Sequence, residues 1–231
     1  MDEVITTENG IEIKRYSDRV VIHKIPRTLS GDVILPKEIT CIQKDDFVDC
    51  EKITSITIQD NVAHIDEGAF DPCINLEKIY VTKDNKYYES DSKGTLYSAG
   101  YGWLKRVPQK QSGVYVVSNR VFRIAKGAFK DCKQITTLVL GSFVTSIASG
   151  AFQNCTGLLH VTIPSTVTVI DGAHLPVVHR CVASPHQQTA FILFVKMARC
   201  LAKIKKCFFM FPPHYKDSRA KKMGAIRSRT V

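Results

Sequence analysis

A 23-residue period dominates this chain and is plainest over residues 121–170. Val121-Phe122-Arg123-Ile124 leads there to Gly127-Ala128-Phe129, then to Cys132, Ile135 and Leu138. The series returns as Val144, Ile147, Gly150-Ala151-Phe152, Cys155, Leu158 and Val161. An earlier pair keeps the same interval, 23 residues from Phe47 to Phe70 and from Cys50 to Cys73. A fixed period between about 20 and 50 residues marks a solenoid, in which each unit buries its apolar side only against its neighbours.

Each unit divides into three parts. A β segment such as Leu76-Glu77-Lys78-Ile79-Tyr80-Val81 is apolar at its first, fourth and sixth positions, and a short second strand such as Val62-Ala63-His64-Ile65 accompanies it. The Gly-Ala-Phe-x-x-Cys piece then makes a tight helical turn with Phe and Cys inward. Glycine permits the sharp entry and alanine the close approach of successive coils. The first copy is imperfect, with Asp45-Asp46 in place of Gly-Ala.

Ahead of the repeats, residues 1–32 read as a strand-rich β cap, with Ile11-Glu12-Ile13-Lys14 and Val20-Val21-Ile22-His23 as short β runs. The solenoid itself is expected over residues 33–171. Phe70 and Phe129 are 59 residues apart, one period plus 36, so a single insertion of 36 residues separates the two pairs of repeats. Residues 83–113 fill it, and the runs Gly94-Thr95-Leu96-Tyr97-Ser98 and Trp103-Leu104-Lys105-Arg106-Val107 predict a β-hairpin that stops at Pro108. A fifth repeat begins at Ile163 but has Gly172-Ala173-His174-Leu175 where Gly-Ala-Phe is due, and nothing beyond matches the unit.

Charge separates the repeats from the C-terminal tail. Residues 1–171 carry 20 Lys and Arg against 21 Asp and Glu; residues 172–231 carry 12 against one, Asp217. The solenoid is therefore expected to have no cationic field to recruit phosphate over its surface, and no specific nucleic-acid binding is expected. The basic end, Arg219 to Arg229, could attract nucleic acid or acidic lipid. In the basic tail, Lys196, Arg199, Lys203 and Lys206 would form a stripe on a helix opposite Phe194, Leu201 and Phe208, a membrane-contact pattern for an anionic surface. Spanning a bilayer is disfavoured because the cations interrupt the run. The competing reading is that a repeat cut in mid-unit, with its acids gone at once, reflects a shifted reading frame or unspliced sequence.

The repeats resemble the BspA-like branch of the leucine-rich repeats, whose pattern is Val-x-x-Ile-x-x-Gly-Ala-Phe-x-x-Cys-x-x-Leu-x-x-Val-x-Ile. Four copies and a fragment of a fifth match, and the interruption looks like the hairpin insert of that branch. The resemblance implies a right-handed superhelix, mostly β with a parallel sheet and short helical turns. It implies adhesion or protein–protein binding at a cell surface, and no catalysis. Met1-Asp2-Glu3-Val4 has neither a basic start nor an apolar run, so a secretory signal is not expected in the sequence as it stands.

Alternation along the main strand leaves its third and fifth positions outside. Ser55, Lys78, Thr137 and His160 then form one column, and Thr57, Tyr80, Val139 and Thr162 the next, on a nearly continuous parallel sheet. A protein ligand is expected on that face, through Ser55, Lys78, Tyr80, Thr137, His160 and Thr162, and on the insert, through Tyr97 and Trp103. Cys50, Cys73, Cys132 and Cys155 share one slot and are expected to be free, buried thiols. No phosphate-cradling loop, His-Glu-x-x-His, Gly-x-Ser-x-Gly or paired Cys-x-x-Cys is present. His174, His179, Cys181 and His186 match no zinc spacing, so neither metal nor cofactor is expected.

Overall fold

The computed structural model describes residues 3–171 and 180–183. The main strands are β4 (Gly31–Ile34), β6 (Ile53–Ile58), β8 (Lys78–Val81), β12 (Ser112–Val116), β14 (Gln134–Val139), β16 (His160–Ile163) and β18 (Arg180–Ala183). Second strands follow them as β5 (Cys41–Ile42), β7 (His64–Ile65), β13 (Arg123–Ile124), β15 (Ser146–Ile147) and β17 (Val169–Ile170). Each pairs in parallel with its counterpart one coil away, Thr137 against His160 and Ile124 against Ile147, for example. The molecule is therefore a stacked parallel β solenoid of seven coils among the described residues. The Gly-Ala-Phe pieces close as hydrogen-bonded turns rather than helices, and the one short 3-10 helix described is Ala99–Tyr101 in the insert.

Those turns are dictated by their sequence. Gly127 and Gly150 open them with φ of +64° and +63°, a region that costs a side chain dearly. Just before the buried cysteine, Asp49, Asp131 and Asn154 take φ of +63°, +61° and +59°. Asp and Asn tolerate this left-handed conformation better than other residues. Each turn then points its phenylalanine inward. Phe47 packs against Phe70 at 5.5 Å with the rings tilted, Tyr115 meets Phe129 edge-on at 5.3 Å, and Phe129 lies 5.1 Å from Phe152. Beside this column Cys50, Cys73, Cys132 and Cys155 are free and buried, and burial pushes the Cys73 and Cys132 thiols up to about 12. They are packing residues, not nucleophiles.

At the N-terminal end β1 (Glu3–Thr6), β2 (Glu12–Arg15) and β3 (Val20–Lys24) pair antiparallel in order, and β3 continues into parallel pairing with β5. The insert is larger than a hairpin. β9 (Tyr88–Ser90), β10 (Leu96–Ser98) and β11 (Trp103–Arg106) form a three-stranded antiparallel meander, whose last strand pairs in parallel with β13. This meander divides the solenoid. The main strands form two separate sheets, β4-β6-β8 and β12-β14-β16-β18, with no ladder between β8 and β12. The core divides in the same way, one cluster running from Ile11 to Leu96 and another from Tyr97 to Val167.

Gly94 shows why the ladder breaks. The turn of the meander lies directly on β8, where Ile79 N donates to Gly94 O at 2.9 Å, and a Cβ on Gly94 would meet Lys78 Cα at 2.6 Å. The insert thus takes the hydrogen-bonding edge that the next coil would use.

Beyond Asp171 the structure departs from expectation. Arg180–Ala183 pairs in parallel with His160–Ile163, so the chain adds one more main strand although its sequence no longer fits the unit. Backbone ladders do not read side chains, and a four-residue β segment suffices.

The imperfect first repeat carries a testable consequence. Asp46 occupies the slot where later coils bury Ala69, Ala128 and Ala151. Burial, then Asp66 and Asp45, raise its carboxyl to about 7, although Gln43 N donates to it at 2.6 Å. Between about pH 4 and 7 only the unfolded chain ionises this group, so stability falls as pH rises through that window. Asp46→Asn is expected to raise the melting temperature at pH 8 and leave it unchanged at pH 4. Water reaching the half-buried carboxylate screens part of the effect, which leaves about 1 kcal/mol. Equal melting curves at pH 8 would contradict this.

Candidate docking surface

The main strands build a regular face within each half of the solenoid. Within each half the expected columns are in register, Ser55 beside Lys78 and Thr57 beside Tyr80 in one sheet, Thr137 beside His160 and Val139 beside Thr162 in the other. Between the halves they are interrupted, so the single four-residue columns become two pairs. Two expected contact residues are corrected. Ser55 is buried, its hydroxyl donating a hydrogen bond to Asp32 Oδ1 of the preceding coil at 2.6 Å. Tyr97 is also buried, its hydroxyl donating to Asp91 at 2.9 Å and its ring resting 4.7 Å from Tyr101. Both side chains are largely withdrawn from solvent.

The others are accessible. Tyr80 is exposed and Lys78 Nζ lies 5.9 Å from its ring centre. His160 and Thr162 are exposed on β16, and Thr137 is half-buried on β14. Period reasoning missed Val114 and Val116, because β12 straddles the end of the stretch read as insert (residues 83–113) and precedes Val121, where the period starts the next repeat. They are 63% and 53% exposed, on the same face as Thr137 and Val139, and pair with them strand to strand. Ile34 gives the N-terminal half a similar apolar point at 59%. Alternation within Val114-Tyr115-Val116-Val117, with Tyr115 and Val117 buried, was the available signal.

Trp103 stands on another face. It is exposed on β11, with Arg123 over its ring at 4.5 Å and Lys105 at 5.6 Å. It lies in the outward column of the second strands and not beside Tyr80 or His160. The stripe Lys196, Arg199, Lys203 and Lys206 lies outside the described residues. No helix among the described residues is long and apolar enough to cross a membrane.

At the junction of the halves is a shallow cleft. Asp66 and Glu67 line it from one half, Lys105, Arg106 and Lys126 from the other. Arg106 Nη1 approaches Asp71 Oδ1 to 3.0 Å and donates to Gly127 O at 2.9 Å, while Lys130 Nζ reaches Asp71 Oδ2 at 2.6 Å. The contact with Oδ1 is close but lacks hydrogen-bond alignment, so Coulomb attraction carries it. Lys126 and Glu67 add a pair at 3.2 Å. The lining has no Ser, Thr, Cys or His to act as a nucleophile or a near-neutral base.

Stacked coils, inward phenylalanines and a displayed parallel sheet define a leucine-rich-repeat solenoid, a class that generally serves as a protein-interaction or adhesion scaffold. A family model describing the BspA type leucine rich repeat region matches residues 28–92 and 114–175 in six copies, and the chain belongs to that family. No curated protein matches it. Among solved structures, a leucine-rich repeat protein from Eubacterium ventriosum is similar in fold at 17% identity, over 74% of this chain and 68% of that one, with a TM-score of 0.50. The pneumococcal vaccine antigen PcpA aligns at 12% identity over 79% and 82% of the two chains, with a TM-score of 0.49. A leucine-rich repeat protein of T. pallidum aligns at 17% identity over 89% and 94%, with a TM-score of 0.38.

Proposed function

We propose that this chain is a non-catalytic docking or adhesion module that holds a protein ligand on its main-strand face, in the setting of a cell surface. The observation that carries the reading is the exposure of Val114 and Val116, in register with the Thr137–His160 and Val139–Thr162 pairs respectively, on one sheet. Apolar side chains in such a regular exposed array are costly to leave in water and favour a covering partner. His160 supplies a polar contact within the array, and Tyr80, on the other main-strand sheet, supplies an aromatic anchor. In this reading residues 1–32 close the N-terminal end and residues 33–171 are the display scaffold, to which Arg180–Ala183 of the 172–231 segment adds one strand. The antiparallel pairing of β1 to β3 supports the first of these divisions.

The test is an array of purified matrix and cell-surface proteins probed with the full chain, followed by titration of any protein that binds. Tyr80→Asp with His160→Asp, and separately Val114→Asp with Val116→Asp, should each weaken binding by tenfold or more while circular dichroism stays native. Affinity unchanged in both variants would rule out the main-strand face.

A further inference from the structure

The charges of the solenoid are sorted between its halves. Residues 1–91 carry 11 Lys and Arg against 19 acids, a balance of −8, whereas residues 92–170 carry nine against one, Asp131, a balance of +8. Part of the positive surplus holds the halves together, through Arg106 and Lys130 on Asp71 and Lys126 on Glu67. Three other cations are placed differently. Arg123 and Lys105 lie over the ring of Trp103, and Arg120 lies 4.6 Å above the ring of Tyr101. Among the described residues none of these three pairs with a carboxylate.

The aromatic residues beneath are fixed in place. Tyr101 takes φ of +59°, rare for a bulky side chain, and is held by the Tyr97 ring and by its own hydroxyl donating to Ser90 O at 3.2 Å. Such strain persists only where the surroundings enforce it, and it collects at functional surfaces. The Phe122 ring lies over Gly102, where a Cβ would come within 2.5 Å of it, and is itself 47% exposed. Phe143 occupies the slot of Arg120 one repeat later and is 65% exposed.

We propose that this outward face of the second strands, centred on Trp103, Arg120, Phe122 and Arg123, docks an acidic protein segment in which carboxylates flank an apolar side chain. An arginine held over a ring can still turn N–H donors to a carboxylate and has less rotamer freedom left to lose. Phe122 and Phe143 offer apolar area that a sulfated polymer does not use. A nucleic-acid strand needs bare ring faces for its bases, and the cations over Trp103 and Tyr101 compete for them. The inference rests on the reading of the chain as a protein-binding module, but it places an acid-specific site on a different sheet.

Phage-displayed random 12-residue peptides panned on the full chain test this, with the selected peptides synthesised and titrated by fluorescence anisotropy. Selected peptides should carry at least two Asp or Glu around an apolar residue and bind more weakly as salt is raised. Arg120→Glu with Arg123→Glu should weaken them at least tenfold, while Val114→Asp with Val116→Asp leaves them unchanged. Phe143→Asp, at a more exposed position, supplies the same test should the double variant misfold. The proposal fails if no peptide binds, if acids are not enriched, or if the arginine variant binds as well as the parent. Loss confined to the valine variant would also sink it while leaving the main-strand reading intact. Tighter binding of heparin than of any peptide, or self-association through the same arginines, would assign the face to another occupant and overturn it.

Discussion

Phe129→Ala should destabilise the protein by about 3–5 kcal/mol, because the cavity left behind cannot collapse. Phe129 is 1% exposed and is clasped on both sides, by the Tyr115 edge at 5.3 Å and the Phe152 ring at 5.1 Å. Its backbone N also donates to Ala151 O at 2.8 Å, so the turn that carries the ring is tied to the next coil. Truncation removes the ring's transfer energy and two aromatic contacts worth roughly 0.5–1.5 kcal/mol each. Total stabilities of about 5–15 kcal/mol make this a large share. In a solenoid the loss is local, so coils β12 to β16 should unravel before the N-terminal half. Thermal melting should show a drop of about 10 °C, whereas Phe143→Ala, at an exposed position, should shift it by under about 2 °C. Similar melting of the two variants would refute the shared interior column.

Asp71→Ala is expected to be nearly as severe, by about 3 kcal/mol, for an electrostatic reason. It removes the carboxylate that faces both Arg106, whose side chain is 6% exposed, and Lys130. A buried cation deprived of its counter-charge is among the costliest defects, while replacing the pair with apolar groups is often tolerated. Arg106→Met added to Asp71→Ala should therefore recover much of the loss. Because Asp71 lies in the N-terminal half and Arg106 in the insert that leads into the other, the single variant should also uncouple the halves. Calorimetry is expected to replace one unfolding transition with two. One unbroken transition at the parent temperature would mean that the ion cluster does not join them.

Much of the architecture was legible because solenoid packing repeats a demand at fixed intervals. Each coil must bury an aromatic ring, a thiol and branched aliphatics at the same height, so Phe47, Phe70, Phe129 and Phe152 announce themselves by spacing. The surface obeys no such rule. Ser55 and Lys78 share a column, yet the first is buried and bonded to Asp32 and the second is exposed. Tyr97 and Trp103 come from the same insert, yet a single turn of chain buries the first and exposes the second. The strand at Arg180–Ala183 is invisible to pattern because its pairing uses backbone groups alone.

The sequence by itself determined the coil: its length, its inward residues, its free cysteines and the place where an insert interrupts it. Those properties depend on contacts between identical positions one period apart, and such contacts leave a periodic trace. Tertiary structure alone decided that the insert breaks the main sheet, where Gly94 packs on the backbone of Lys78. It also decided that Arg120 and Arg123 lie over the rings of Tyr101 and Trp103. These contacts join the insert to the repeats at no fixed interval, so they had to be seen in space.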